Sequence, residues 1–220
     1  MKLRLIIMLG VCTLLPQVLF AQNPEVIGVP EFAYSWKQTD NLKLSANFQN
    51  FHSISNFDQN SSFKYFESAL IATYSGNPNF KIGGGYKYRV VTPNVDGYQY
   101  EHRFLEQIEF SSSMFGLAMS NRIRLEQRFK TNSYVNRVRY RLQHKIPLSD
   151  GSKTLKVYDE FHTSFNSDDT SGENRMYVGM TMPLGNAGFE IGLQHRLQKL
   201  FTDSDTKQLL VFYTKYSLSR

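Results

Sequence analysis

From Arg122 to Phe129 the chain places Arg122, Arg124, Glu126 and Arg128 at every second position, with Ile123, Leu125 and Phe129 among the residues between. Arg137, Arg139 and Arg141 repeat the device against Val138, Tyr140 and Leu142. A period of two puts every arginine on one face of a β-strand and the apolar residues on the other. The pattern recurs at Leu42 to Phe51, at Phe80 to Val91 and at Phe189 to Leu197. Similar runs near 63–75, 98–110, 115–129, 134–146, 154–164, 174–183 and 207–219 bring the count to ten strands. No helical periodicity of useful length competes with them.

The connections support an antiparallel meander. Counted from Leu42, the even-numbered ones are short or turn-like, as at Ser75 to Pro78, Ser111 to Ser113, Pro147 to Lys153 and Pro183 to Asn186. Several odd ones, at 52–62, 92–97 and 165–173, are longer and polar. Transmembrane barrels show this asymmetry, with both termini on the periplasmic side. Phe32 to Lys37 also alternates and offers an eleventh strand. Bacterial single-chain barrels are usually even-numbered, so the expectation is ten strands, or twelve. Two acids fit this scheme badly. Glu67 shares a face with Ile71, and Glu106 falls between Phe104 and Ile108; a β-bulge would re-aim either.

Alternation does not say which face points inward. A soluble barrel buries the apolar face, whereas a membrane barrel turns it to lipid and keeps the charges in a polar lumen. Strands commonly longer than ten residues favour the membrane version. So do aromatics near strand ends: Phe80, Tyr98, Phe110, Phe115, Phe129, Tyr134, Phe189 and Tyr216.

The start of the chain reads as a secretory leader. Lys2 and Arg4 precede an apolar stretch from Leu5 to Phe20, with cleavage expected after Ala21. The single cysteine, Cys12, falls inside it, so disulfide and thiol chemistry are not expected of the mature chain. Removing the two leader cations lowers the formal net charge from +6 to +4. The basic residues are dispersed, unlike the clustered stripe of a nucleic-acid binder. No stretch after Gln22 is long and apolar enough for a transmembrane helix, which does not weigh against a barrel.

The strongest chemical constellation is the charged face. Its members are Arg103, Arg122, Arg124, Glu126, Arg128, Arg137, Arg139, Arg141, Glu160, Arg175, Glu190 and Arg196, joined by Lys81, Lys87, Arg89 and Glu101. Turned inward, these residues either form an ion-paired plug or line a narrow pore that prefers anions. The five histidines show no zinc-like spacing, and no cofactor is expected. Catalytic pairs would be His162 with Glu160 and His52 with Ser53, and neither matches a motif. Gly83-Gly84-Gly85 lacks the Lys-Ser/Thr and helix of a phosphate loop and reads as a bend or a close backbone approach. The 166–173 segment, with Asp168, Asp169 and Glu173, lacks calcium-loop spacing and reads as a solvated loop.

The residues Asn121 to Phe129, Arg137 to Leu142 and Ile146-Pro147-Leu148 resemble the core signature of the domain-of-unknown-function 2490 family. Glu101-His102-Arg103-Phe104 through Glu106-Gln107, and Glu173-Asn174-Arg175, are similar to it too. The resemblance covers nearly the whole mature chain and is weakest before Leu42. It implies a bacterial outer-membrane barrel and carries no catalytic residues. Many such barrels end on an aromatic residue used in assembly. Here Leu210, Phe212, Tyr216 and Leu218 alternate, but Ser219-Arg220 follows.

The expected organisation is a signal peptide at 1–21, an N-terminal segment at 22–41 and an antiparallel transmembrane β-barrel at 42–220, in the outer membrane. Its expected partners are outer-membrane lipid and the barrel-assembly machinery. The expected role is structural or that of a narrow solute pore with a basic lumen. The alternative is a lipid-active barrel enzyme.

Overall fold

A computed structural model describes residues 24–55, 63–94, 97–148, 152–166, 170–202 and 205–220. The expected leader with Cys12 lies outside the described residues, as do Asp168 and Asp169. Eleven strands follow in order: β1 (Glu25–Lys37), β2 (Leu42–Ser53), β3 (Phe63–Asn77), β4 (Phe80–Asn94), β5 (Gly97–Met114), β6 (Leu117–Lys130), β7 (Ser133–Pro147), β8 (Thr154–Phe165), β9 (Thr170–Leu184), β10 (Ala187–Leu200) and β11 (Lys207–Ser219). Sequence neighbours pair antiparallel throughout, and β1 pairs with β11 in parallel, closing the sheet into a barrel.

The expected ten or twelve strands are thus corrected to eleven, and an all-antiparallel sheet to one with a single parallel seam. A ten-stranded sheet from β2 to β11 would leave two edges. Strand β1 occupies both, antiparallel to β2 and parallel to β11 from Glu25 opposite Leu209 to Ser35 opposite Ser219. Its side chains explain why it docks there. Ile27, Val29 and Ala33 point inward and are buried, and Ile27 and Val29 form an apolar cluster with Phe51, Leu209 and Val211. Burial of this kind is worth about 1.5–3 kcal/mol for each large side chain.

An odd strand count puts the start of β1 and the end of β11 at opposite rims, correcting the expectation that the barrel begins and ends on one side. Glu25 lies at the rim where β2 passes to β3, β4 to β5, β6 to β7, β8 to β9 and β10 to β11. Ser219 lies at the other rim, where β1 passes to β2, β3 to β4, β5 to β6, β7 to β8 and β9 to β10. The former is called the loop rim below and the latter the turn rim.

The faces sort as the alternation predicts, with apolar residues outward. Leu70 is 53% exposed, Phe104 52% and Phe212 50%, whereas Glu126 is 1% and Glu160 0% exposed. Outward aromatics gather at both ends. Phe80 stands opposite Phe110 and Phe189 opposite Tyr216 toward the turn rim. Phe129 stands opposite Tyr134, with ring centroids 4.9 Å apart, toward the loop rim.

The two misfit acids resolve differently, and neither uses a bulge. Glu67 points inward and is buried, and so is Ile71, which simply adds an apolar residue to the interior. Glu106 points outward beside Phe104 and Ile108. The triple glycine marks a close backbone approach: a Cβ on Gly83 would stand 2.8 Å from the Ala72 carbonyl oxygen, and one on Gly85 would meet the Leu70 carbonyl oxygen and Ile71.

Candidate functional site

The alternation that turns Ile, Leu and Phe outward delivers arginines from β5, β6, β7, β9 and β10 into one enclosed space. A charge moved out of water needs partners in good geometry, because the desolvation cost of each ion is several kcal/mol. Glu160 on β8 is the hub. Its Oε2 accepts from Arg122 Nη2 and Arg141 Nε, each at 2.6 Å, and its Oε1 from Arg139 Nη2 at 2.5 Å. His162 Nε2 lies 2.6 Å from the same Oε1. Arg139 also reaches Glu126 at 2.6 Å, bridging two carboxylates.

A second group sits on β3, β4, β5 and β6. Glu101 takes two-pronged bonds from Arg103 (2.7 and 3.2 Å) and from Arg128 (2.5 and 3.2 Å). Fork-to-carboxylate bonds of this kind fix orientation as well as charge. Glu67 accepts from Lys87 at 2.7 Å and from Arg89 at 3.1 and 2.7 Å, with Arg103 at 3.3 Å. A third group spans β8, β9 and β10. Arg175 bonds Glu173 at 2.6 Å, Tyr177 donates to Glu190 at 2.5 Å, and Lys156 pairs with Glu190. The Tyr177 ring lies over Gly179 and Gly192, facing positions where any Cβ would collide with the phenol.

Three inward arginines have weaker company among the described residues. Arg124 donates to the Gln107 amide oxygen at 3.0 and 2.5 Å, and its paired carboxylate, Glu126, is 3.8 Å away. Arg137 bonds the Ser164 hydroxyl at 2.8 Å. Arg196 donates to Gln194 and lies over the Phe51 ring, 5.8 Å from its centroid.

The space these groups enclose is a central cavity of about 340 Å³ touched by all eleven strands. Twelve lysine and arginine side chains line it, against three carboxylates, Glu31, Glu67 and Glu190. Four more buried carboxylates, Glu101, Glu126, Glu160 and Glu173, pair with these cations from outside that lining, and the enclosure keeps a net positive potential. Aromatic rings complete the wall: Arg141 stacks over Tyr158 and Arg89 over Tyr65, each 4.0 Å from the centroid.

All twelve charged residues singled out from the sequence point inward, and most of them share partners. Sequence reasoning passed over Glu31 and Gln107, treated Glu67 as a misfit and put Glu173 in a loop. Glu173 instead belongs to β9 and bonds Arg175. Glu67 stands opposite Arg89 on β4, a pairing that depends on cross-strand register. The candidate catalytic pairs come out differently. His162 and Glu160 do touch, but both are fully buried within the arginine hub. His52 and Ser53, adjacent on β2, point to opposite faces, with His52 against Phe63 outside and Ser53 buried inside.

Eleven strands closed around a basic, ion-paired lumen define a β-barrel with an inverted, polar interior. Residues 33–207 match the family described as protein of unknown function (DUF2490), and the chain belongs to that family. In fold it is similar to LpxR from Salmonella typhimurium, at a TM-score of 0.50 and 11% identity, over 81% of this chain and 84% of that one. That likeness is one of fold alone. The siderophore receptor PirA from Pseudomonas aeruginosa aligns at a TM-score of 0.32 and 14% identity, over 79% of this chain and 34% of its own. No curated protein matches the chain.

Proposed function

We propose that this chain is an outer-membrane β-barrel whose interior is a narrow, basic passage for small anions. The observation that carries the reading is the central cavity, bounded by every strand and lined by twelve cationic side chains and three carboxylates. Excess inward arginine raises the local anion concentration and repels cations.

The membrane setting is supported by the exterior. Outward apolar residues predominate between the aromatic residues at the two ends, with Glu106 and Asp159 among the exceptions. Along β6, Phe129 and Asn121 are eight residues apart, and Asn121 stands opposite Phe110. At about 3.4 Å per residue and a tilt of about 40°, that spacing spans about 21 Å, close to the roughly 25 Å apolar band of outer-membrane barrels. Outer-membrane lipid would then contact the band, and the barrel-assembly machinery would insert it. The lipid-active enzyme reading gains nothing from the two histidine pairs, one sealed in the lumen and the other divided between faces.

The test is conductance of the refolded mature chain in a planar lipid bilayer under a potassium chloride gradient. The expected result is small discrete steps whose reversal potential lies toward the chloride equilibrium. Cation preference, or silence from protein that has been shown to be folded and inserted, would overturn the reading.

A further inference from the structure

The strand registers place like charges opposite each other inside the barrel. On β6 and β7, Arg122 faces Arg141, and on the next inward rung Arg124 faces Arg139. On β9 and β10, Arg175 faces Arg196. Directly opposed like charges destabilise a sheet, and a protein anion compensates only part of this set. Glu160 serves Arg122, Arg139 and Arg141, Glu126 serves Arg139 and lies 3.8 Å from Arg124, and Glu173 serves Arg175. Among the described residues the side-chain hydrogen bonds of Arg124 and Arg196 go to the neutral amides of Gln107 and Gln194, although both arginines are more than nine-tenths buried. All these arginines line the central cavity.

We propose that this arginine cluster is a saturable binding site for a phosphate-type oxyanion, held by Arg124 and Arg196 from the wall of the cavity they share. The inference rests on the reading of the lumen as an anion compartment and gives that compartment a preferred ligand. Guanidinium forks match the paired oxygens of a tetrahedral oxyanion, which a spherical halide cannot offer. The room is sufficient. At about 30 Å³ per water the cavity holds the equivalent of about ten waters, enough for inorganic phosphate with its hydration or for a small phosphorylated solute. A closed wall of eleven strands separates the site from the surrounding bilayer, so the ligand is water-soluble and enters by a rim.

The experiment uses the full mature chain refolded in detergent micelles, titrated calorimetrically with inorganic phosphate at constant ionic strength in chloride. Saturable one-to-one binding is expected, weakened about tenfold or more in Arg124→Gln and in Arg196→Gln, since a charge-assisted hydrogen bond is worth roughly 1.5–3 kcal/mol. Glu106→Gln, on the outer face, leaves it unchanged. Phosphate also raises the unfolding temperature of the unsubstituted chain above its value in chloride, which keeps the test valid should either arginine variant fail to fold. Absence of both saturable binding and thermal stabilisation overturns the site, as does binding that survives in both folded variants. Glycerol phosphate in the same titration separates the sources. Tighter binding than phosphate assigns a phosphorylated solute, equal binding assigns the ion itself, and either supports the site. Binding without conductance upholds the site and removes the pore. Anion-selective conductance without binding upholds the pore and removes the site.

Discussion

Glu160 carries more of the interior than any other single residue, because three guanidinium groups and one imidazole converge on its two oxygens. Neutralising it leaves Arg122 and Arg141 facing each other with no carboxylate between. Breaking a buried pair by removing one partner costs about 3–5 kcal/mol. Glu160→Gln should therefore lower unfolding stability by about that amount in equilibrium urea titrations in micelles. Glu106 is the contrasting acid: it faces outward, with no ion pair among the described residues, and Glu106→Gln should change stability by less than about 1 kcal/mol. Equal losses in the two variants would refute the hub. The difference between these residues was half legible in the sequence. Alternation gave the side of Glu160, whereas Glu106 fell between Phe104 and Ile108 on the apolar face, where a bulge was expected to re-aim it and none occurs. The pattern failed at Glu67, because Ala69 and Ile71 also point inward and blur the contrast between the faces of β3. The partners of Glu160 were out of reach altogether. They depend on cross-strand register, and register is set by loop lengths and bulges that a periodicity argument does not resolve.

Among the elements, β1 departs furthest from its sequence reading. Val26 to Tyr34 mixes apolar residues on both faces, so the period of two that marks β6 and β7 is faint there. The same holds for Leu209 to Tyr213 in β11, the strand it joins. Two weakly alternating strands meet because each needs an apolar neighbour inside the barrel. Pro30 adds a local weakness. It has no amide hydrogen, and the ladder from β1 to β2 lapses between Gly28 and Glu31 while the register on either side is unchanged. The parallel seam can be tested directly. Ala33 stands opposite Ser217, both on the inner face, so Ala33→Cys with Ser217→Cys should cross-link on oxidation in the folded barrel. Pairing Ala33→Cys with Thr214→Cys, three positions away, should not. A ten-stranded barrel closed by β2 and β11 would give no specific cross-link from Ala33, so the first outcome would be lost.

For the whole molecule, the class of architecture was legible and its closure was not. Long alternating strands, turn-rich connections and end-placed aromatics all pointed to a barrel with charges inside. The seam depended on a segment that an even-number rule argued out of the sheet. The corrected count makes a topological prediction. Epitopes placed ahead of Pro24 and after Arg220 should be reached by antibody from opposite sides of sealed, uniformly oriented proteoliposomes. Labelling of both from one side would require an even number of crossings. The same feature governs how the gene could be rearranged. In an even-stranded barrel a few residues can join the old ends, and the chain can be reopened at another hairpin. Here any such bridge would have to run from one rim to the other, about ten extended residues for a rise of about 30 Å, along a route that is either greasy or already filled with arginine. This barrel therefore has a fixed beginning and end, and cyclic relatives of it should be absent from any library of viable permutants.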